Sequence, residues 1–520
     1  MELIIFFTVL QKFLSWISRP IYFIISLRST PKLPSIASPY LQMSVVEIAK
    51  KIRNGEVKSR DVVDACIERI RKVNPILNAV VDERFKEAQS EADEADNFIA
   101  ANKNDLEKIA MEKPLLGVPF TVKESCKLKG MSLSVGCLPL KGQVATEDGE
   151  AVSKLRNAGA IPLCVTNTPE LCLFWESYNL VTGCTRNPYN LHRTSGGSSG
   201  GEGALIGSGS SLFGIGSDLA GSIRIPSLFN GIFGHKPTPG LVSIEGHYPM
   251  ATHEDFKKYL TVGPMARHAE DLIFLMKILS TDPDYSRLLD EKIDLSNLNV
   301  FYIEEATNVW YAVPVENDIK AKIQEAAEFL KTTYGCKIQK GPFDELENSA
   351  VMGDALLLKV LSKDDVFKFS LKEHRRRPND NMEFIKAIFG LSKYSLYSTL
   401  ANLFQKYELF SERKCEMYSK QNDELKLKFK DVLKDNGVLL YPTFPKPAIH
   451  HLETASVTQG IMYALIANTL CLPATHVPLG FDRNGLPIGF QVIAAPYQDR
   501  LCLAVAKALE DKFGGWIPPS

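Results

Sequence analysis

The chain has 520 residues and a formal net charge of −1, and 45% of its residues are hydrophobic and 23% are charged. This is the composition of a globular protein, and it lacks the basic excess that a nucleic-acid partner normally requires. The 10 cysteines include no C-x-x-C pair, and histidines cluster only at His450-His451, which argues against a zinc site and a dense disulfide framework.

The N-terminus is apolar and is followed by a polar, proline-bearing linker. Residues 3–27 are mostly apolar, but Lys12 and Arg19 interrupt them and fall on one helical face, a pattern typical of a helix at a membrane interface. We therefore expect residues 1–40 to form a membrane-associating segment and linker, although a helix packed on the body of the protein stays an alternative. Whether this segment would span the bilayer or lie in its plane is left open. Residues 41–520 are expected to form the remaining domain.

Two amphipathic helices are expected after the linker. Ser44 and Glu47 have the spacing of a capping box at the start of the first helix. Ser59 is expected to cap the second helix, and Pro75 to end it. Apolar residues of this second helix repeat at helical spacing and predict one buried face: Val62, Val63, Cys66, Ile67, Ile70 and Val73.

Beyond these helices, short apolar runs alternate with helical patterns. Strands are predicted at residues 160–166, 298–304, 437–443 and 488–495, and helices at residues 150–158 and 500–513. Apolar runs without strict alternation are typical of strands covered on both faces, so we expect an α/β fold with helices on both sides of a large sheet. Residues 344–424 are more helical and resemble a cap. An apolar stretch within them, residues 384–404, could line an acyl channel, belong to the core or form a dimer contact.

The most unusual stretch is "GGSSGGEGALIGSGSSLFGIGSDLAGSIRIP", residues 196–226. Its glycine and serine content is that of a flexible linker. However, apolar residues occur throughout it, and flexible linkers stay solvated because they lack such residues. Tight packing would explain the glycines but not the many hydroxyl groups, each of which needs a partner when buried. The stretch is therefore expected to be buried and functional.

The second half of this stretch predicts a nucleophilic serine. "SLFGIGS" has the pattern of a buried strand, "DLAG" that of a turn, and a short helix is expected to begin at Ser222. Unpaired N–H groups at the start of a helix stabilise a nearby oxyanion, so Ser222 is a candidate nucleophile. A serine needs a base. Lys123, which follows the strand-like run in "PLLGVPFTVKES", can serve if burial disfavours its charged form, although a surface lysine is the commoner interpretation.

Several motifs resemble those of the amidase signature family. They are the glycine-rich stretch continued to "FNGIFGHKP", "GVPFTVKES", "TVGPMAR" and "GLPIGFQVIA", and they occur in the family's order between residues 45 and 516. The resemblance implies one amidase signature domain built on a large twisted mixed β-sheet. The apolar N-terminus and the segments "YPTFP" and "FGGW" are similar to members of the family that act on fatty-acid amides.

The resemblance also implies roles for individual residues. Ser222 falls where the family has its nucleophile, Lys123 where it has its base, and Ser198 where it has a bridging serine on a cis peptide bond. The backbone N–H groups that would bind the oxyanion belong to Leu219, Ala220, Gly221 and Ser222.

Two neighbours of these residues bear on the turn itself. Asp218 and Arg224 match residues that brace it, and we expect an ion pair between them. The family often has two glycines before the nucleophile, whereas this chain has Ala220 and Gly221. The methyl group of Ala220 narrows the space beside the substrate carbonyl, which puts substrate range and rate in question.

The expected function is that of a serine hydrolase that cleaves fatty-acid amides, such as N-acyl ethanolamines or primary fatty amides, through an acyl-enzyme. No cofactor or metal is expected; a membrane partner is, and a homodimer is possible. Alternatives are hydrolysis of short or non-lipid amides and esters, a non-catalytic membrane scaffold, and the glutaminase subunit of a tRNA amidotransferase, which the apolar N-terminus disfavours. A lipase-like G-x-S-x-G elbow would instead make Ser199 the nucleophile, with His450 or His476 as its base.

Overall fold

The computed structural model describes five long stretches of the chain and five isolated residues near its start. These are residues 31–250, 253–306, 313–361, 378–407 and 410–519, together with residues 20, 22, 24, 25 and 28. Most of the expected membrane-associating segment, residues 1–40, therefore lies outside the described residues. Within the described ranges, no helix combines the length and the hydropathy that crossing a bilayer requires.

The centre of the molecule is a mixed sheet of 11 strands in the order β1-β3-β2-β6-β8-β7-β12-β13-β11-β9-β10, and β4 and β5 form a separate two-stranded sheet. The strands are β1 (Val80–Glu83), β2 (Pro119–Lys123), β3 (Ile161–Thr166), β4 (Tyr178–Asn179), β5 (Gly183–Cys184), β6 (Phe213–Asp218), β7 (Phe233–Lys236), β8 (Thr261–Ala266), β9 (Asn299–Tyr302), β10 (Lys337–Lys340), β11 (Gly437–Tyr441), β12 (Ala474–Phe481) and β13 (Pro487–Ala494).

The α-helices of the described residues surround this sheet. In chain order they are α1 (Val45–Arg53), α2 (Ser59–Leu77), α3 (Phe85–Ala101), α4 (Leu106–Glu112), α5 (Glu150–Asn157), α6 (Gly200–Gly207), α7 (Arg224–Phe229), α8 (Glu254–Tyr259), α9 (Ala269–Leu279), α10 (Pro283–Leu288), α11 (Asn317–Tyr334), α12 (Ser349–Leu361), α13 (Asp380–Ile388), α14 (Leu396–Lys406), α15 (Glu412–Leu433), α16 (Met462–Thr469) and α17 (Asp499–Phe513).

Helices cover both faces of the sheet, as neighbouring residues of β12 show. Thr475 and His476 point to opposite faces because side chains alternate along a strand. The Thr475 hydroxyl lies 2.8 Å from Nδ1 of His235, and Nε2 of the same ring lies 3.1 Å from Asp499 at the start of α17. His476 lies on the other face, where it senses the charge of Arg224 in α7. The predicted α/β fold with a large mixed sheet is confirmed.

The predicted strands and helices of the core are confirmed with small shifts at their ends, but two predictions about α2 are wrong. Ser59 is the first helical residue rather than the cap, and its hydroxyl donates to the Gly117 carbonyl at 2.7 Å. The first N–H groups of α2 bind the carboxylate of Asp96 in α3, which caps the helix from outside. Pro75 lies inside the last turn, and the helix ends only where Asn78 takes a left-handed φ of 55°.

The glycine-rich stretch is buried and ordered, as predicted. It forms α6, β6, a turn and α7, and the side chains of Ser198, Ser199 and Glu202 are at most 1% exposed. Gly201 shows why glycine is needed, because a Cβ atom there would overlap the backbone of Asn167. The helix expected at Ser222 begins two residues later, at Arg224.

Helices α12 to α15 lie within or across the predicted cap region, residues 344–424, whose separation from the rest of the domain stays a prediction. The apolar stretch at residues 384–404 is partly buried and partly exposed to solvent. Tyr394, Ser398 and Asn402 are buried. The interpretation of the stretch as ordinary core is wrong for the outer face of α13 and the residues after it. Large apolar side chains there are 49–75% exposed: Met382, Ile385, Ile388, Phe389 and Leu391.

We predict that His476 makes the fold sensitive to acid. Burial, with the nearby charge of Arg224, lowers the pKa of His476 from 6.5 to about 3, so the folded protein keeps this ring neutral where the unfolded chain protonates it. The free energy of unfolding should therefore fall as the pH drops from about 6.5 toward 3. Between pH 8 and pH 5, the free energy of unfolding of the wild type should fall by about 2 kcal/mol more than that of the His476→Gln variant. Urea unfolding at the two pH values measures this difference. Equal pH slopes in the two proteins would contradict this.

Candidate active site

Two neighbouring strands end at the same edge of the sheet and bring the candidate base to the glycine-rich stretch. β2 and β6 are parallel, with Thr121 opposite Gly214 and Val122 opposite Ile215. Their carboxyl ends therefore lie side by side, which is where open α/β sheets place their ligands. Lys123 is the last residue of β2, and Ser217 is the last but one of β6.

Lys123 is fully buried among hydroxyl groups. Its Nζ lies 2.6 Å from Oγ of Ser198, 2.8 Å from Oγ of Ser217 and 3.5 Å from the Ser217 carbonyl. No carboxylate forms a salt bridge with Lys123 among the described residues. Glu202 lies near it, but burial raises the pKa of Glu202 to about 8, so this carboxyl group is mainly protonated at neutral pH and provides little counter-charge.

Ser198 occupies the position that the family resemblance implies. The peptide bond between Gly197 and Ser198 is cis, and α6 begins two residues further on. The N–H of Ser199 donates to the Ser222 carbonyl at 3.1 Å, which joins the two serine segments. Within the described ranges, however, no hydrogen bond joins the side-chain hydroxyls of Ser198 and Ser222.

The turn that carries Ser222 is braced by the predicted ion pair. Nε and Nη2 of Arg224 lie 3.1 and 3.0 Å from the two carboxylate oxygens of Asp218, and both side chains are fully buried. Nη1 of Arg224 also donates to the Ala464 carbonyl and to Gln491, and Nη2 donates to Asn468. Burial alone would raise the pKa of Asp218, but the charge and hydrogen bonds of Arg224 outweigh it and hold this pKa well below its usual range.

The backbone N–H groups of the turn divide into two sets. Gly221 donates its N–H to Asp218 at 2.7 Å, so the structure commits this amide to the brace rather than to an oxyanion. The N–H groups of Leu219, Ala220 and Ser222 donate no hydrogen bond within the described part of the chain. Gly221 has a φ of 103°, and a Cβ atom there would overlap Ala464, so glycine is required.

Sequence reasoning missed Ser217 and His247. Nδ1 of His247 lies 3.1 Å from the Pro249 carbonyl, which can only accept, so Nδ1 carries the hydrogen. Burial lowers the pKa of His247, and the neutral ring accepts the Ser217 hydroxyl hydrogen at Nε2, 2.9 Å away. No motif spacing in the sequence could reveal this contact, although Ser217 itself stands directly before Asp218 in the glycine-rich stretch.

The lipase-like alternative finds no support in the geometry. Ser199 opens α6 from a loop rather than following a strand, and its hydroxyl donates to the Ser217 carbonyl at 3.4 Å. The side chain of His476 lies against Thr443, 2.8 Å away. No hydrogen bond joins His450 or His476 to Ser199 among the residues described.

The chain is similar to known amidases in sequence and in fold. The family model described as Amidase matches residues 61–503. Fatty-acid amide hydrolase 2-B of Danio rerio is 41% identical over 94% of this chain and 92% of its own length. Fatty-acid amide hydrolase 2 of Homo sapiens is 38% identical over 93% of this chain and 91% of its own. The solved structure named Fatty acid amide hydrolase has the same fold, with a TM-score of 0.74 at 23% identity, and covers 92% of this chain and 87% of that one.

The fold and these relatives define a hydrolase that acts on amide bonds. The chain belongs to the amidase signature family, as its motifs indicate.

We predict that the ion pair between Asp218 and Arg224 is needed for the stability of the fold. Replacing Arg224→Met should lower the free energy of unfolding by about 3–5 kcal/mol, because Asp218 would keep a buried charge without its partner. Urea unfolding measures the change. A matched control is Arg287→Met, which breaks an ion pair whose side chains are 80% and 87% exposed. The control should cost less than about 1 kcal/mol, and a similar cost for both variants would refute the assignment.

Proposed function

We propose that the protein hydrolyses fatty-acid amides through a Ser-Ser-Lys triad of Ser222, Ser198 and Lys123. The observation that carries this proposal is the distance of 2.6 Å between Nζ of Lys123 and Oγ of Ser198. Among the described residues, no carboxylate forms a salt bridge with Lys123. Since the Ser217 hydroxyl gives its hydrogen to His247, the uncharged amine donates to Ser217 and keeps its lone pair for the Ser198 hydroxyl.

The first half of the reaction forms an acyl-enzyme. Lys123 takes the proton of Ser198 as Ser198 takes that of Ser222, and Oγ of Ser222 attacks the amide carbonyl carbon. The hydrogen bond between the hydroxyls of Ser198 and Ser222 forms when the substrate binds, since catalytic hydrogen bonds often tighten only in the enzyme–substrate complex. The N–H groups of Leu219, Ala220 and Ser222 receive the oxyanion.

The second half releases both products. The proton returns from Lys123 through Ser198 to the nitrogen of the amine, so the carbon–nitrogen bond breaks and a neutral amine leaves. Water then attacks the acyl-enzyme, its proton passing by the same relay, and Ser222 regains its hydrogen as the carboxylic acid departs. No step of this route draws on a cofactor.

We predict that all three side chains of the triad are needed. Ser222→Ala should lower kcat/KM for a long-chain primary amide by at least ~10³-fold, and Lys123→Ala or Ser198→Ala by about 10²- to 10⁴-fold, because each removes a step of the relay. Ser199→Ala is the matched control, since among the described residues the Ser199 hydroxyl forms a single hydrogen bond, to the Ser217 carbonyl. It should keep most of the activity. A loss confined to Ser199→Ala would favour the lipase-like alternative.

The same assay separates the substrate classes. N-acyl ethanolamines, primary fatty amides and short amides are compared with wild-type protein, with Ser222→Ala as the blank. The names of the relatives support a fatty acyl chain. A preference for short amides would favour the alternative of a non-lipid amidase, and a purified protein that hydrolyses none of them would favour the scaffold.

We also propose that the protein attaches to membranes. The apolar N-terminus suggests attachment from the sequence, and the exposed apolar residues of α13 add a second contact. We call the side chains Met382, Ile385, Ile388, Phe389 and Leu391 the α13 surface. The first three share one face of the helix, since they lie three residues apart. Exposed apolar side chains that lie next to one another usually mark a contact with a membrane or with another protein.

The α13 surface predicts binding to neutral phosphatidylcholine vesicles. The double substitution Ile385→Glu/Phe389→Glu should lower the vesicle-bound fraction in flotation about tenfold or more, because each buried apolar side chain contributes about 1.5–3 kcal/mol. Leu427→Glu is the control, since Leu427 is 62% exposed outside this surface. Unchanged flotation would refute the role. A change from dimer to monomer, with flotation unchanged, would identify a subunit contact instead.

A further inference from the structure

A second group of reactive side chains lies outside the triad. Glu176, Cys184 and His451, here called the Glu176 cluster, each place one donor atom within 4.8 Å of the other two. Nδ1 of His451 lies 2.9 Å from Oε1 of Glu176 and 3.3 Å from Sγ of Cys184. The three residues come from two segments that are more than 260 positions apart in the chain.

The carboxylate of this cluster is held in place before any ligand arrives. Glu176 is 1% exposed. Its Oε2 accepts hydrogen bonds from the Leu452 N–H at 3.1 Å and from the Thr454 hydroxyl at 3.0 Å, and its Oε1 lies 3.3 Å from the same N–H. Hydrogen bonds of this kind orient ligating carboxylates in metal sites.

The other two donors are anchored through their backbones and remain reachable. Cys184 lies in β5, paired with Tyr178, and its carbonyl accepts from Asn78 at 3.3 Å. His451 follows a bridge between His450 and Arg193. The side chain of His451 is 26% exposed and Cys184 is half-buried, so a small ion can enter from solvent.

One ring nitrogen of this cluster faces two partners. Nδ1 of His451 can carry one hydrogen, yet it faces both the carboxylate and the thiol. The thiol of Cys184 also lies 3.7 Å from the Thr185 carbonyl. A cation placed between the three donors would take a lone pair from each of them.

We infer that Glu176, Cys184 and His451 form a binding site for a thiophilic divalent cation such as Zn²⁺. Thiolate, imidazole and carboxylate are the ligands that Zn²⁺ uses, and bond lengths of about 2.0–2.3 Å put tetrahedral ligand atoms roughly 3.3–3.8 Å apart. The His451–Cys184 separation of 3.3 Å lies at the lower end of this range, and the His451–Glu176 separation of 2.9 Å needs a shift of a few tenths of an ångström. On binding, the Cys184 thiol proton goes to solvent, and His451 binds through Nδ1 as a neutral imidazole whose single ring hydrogen is on Nε2. Water takes the fourth position.

The Glu176 cluster adjoins the serine segment of the candidate active site. Ser177 follows Glu176, and its N–H donates to the Gly196 carbonyl at 3.1 Å. The Ser177 hydroxyl accepts the Gly200 N–H at 3.1 Å and lies 3.5 Å from the Ser198 carbonyl. The cation site and the triad are therefore separate sites joined by one residue.

The test is a titration of the untagged, chelator-treated full chain with Co²⁺, whose bond to a thiolate gives a charge-transfer absorption band. The wild type should bind one equivalent with this band, and Zn²⁺ should displace it. Cys184→Ser and Cys184→Ala should lose the band, and His451→Gln should weaken Co²⁺ binding by about tenfold or more. Cys471→Ser is the control, since Cys471 is half-buried, like Cys184, lies outside the Glu176 cluster, and its thiol donates to the Lys258 carbonyl.

The readout is independent of amide hydrolysis, so it stands whatever the substrate is. Circular dichroism and labelling by an active-site serine probe confirm that each variant is folded. A wild type that shows no thiolate–cobalt band would overturn the inference. A band that survives both Cys184 substitutions would overturn it as well, because the thiolate would then belong to another cysteine.

Discussion

The turn that presents Ser222 depends on the buried ion pair between Asp218 and Arg224. The carboxylate of Asp218 accepts from the Gly221 and Ile223 N–H groups, so it sets the backbone on both sides of the serine. Arg224 extends the same network to Asn468 in α16 and Gln491 in β13. Because water does not reach this pair, neither charged group has another partner available. The two side chains therefore hold one geometry. The position of Ser222, the proposed nucleophile, is thereby tied to the sheet.

Much of the site could be predicted from the sequence because its parts are local. A turn after an apolar strand made Ser222 a candidate nucleophile, and the family resemblance made Lys123, a weak candidate on its own, the expected base. What the sequence could not show is that β2 and β6 lie side by side, which is what brings the lysine to the glycine-rich stretch. The contact between Ser217 and His247 was missed for the same reason, since it joins residues 30 positions apart across the sheet edge.

The wrong predictions share a physical cause, which is that tertiary contacts replaced a local signal. Ser59 has the chemistry of a cap, but Asp96 of a neighbouring helix binds the first N–H groups of α2 instead. The expectation of no zinc site is a different case, because it rested on the absence of a motif spacing and stays a prediction that the proposed cation site opposes. The Glu176 cluster is assembled from two distant segments, and such a constellation has no spacing to recognise. An apolar pattern likewise cannot tell core from surface, as the exposed residues of α13 show.

The α13 surface also affects how the chain behaves during its synthesis, before any partner covers it. Five large apolar side chains gathered in one place are a liability during synthesis, when chains are close together and nothing yet covers them. Protein produced without lipid or detergent should self-associate increasingly with concentration. A membrane that covered these side chains, as proposed above, would suppress this association.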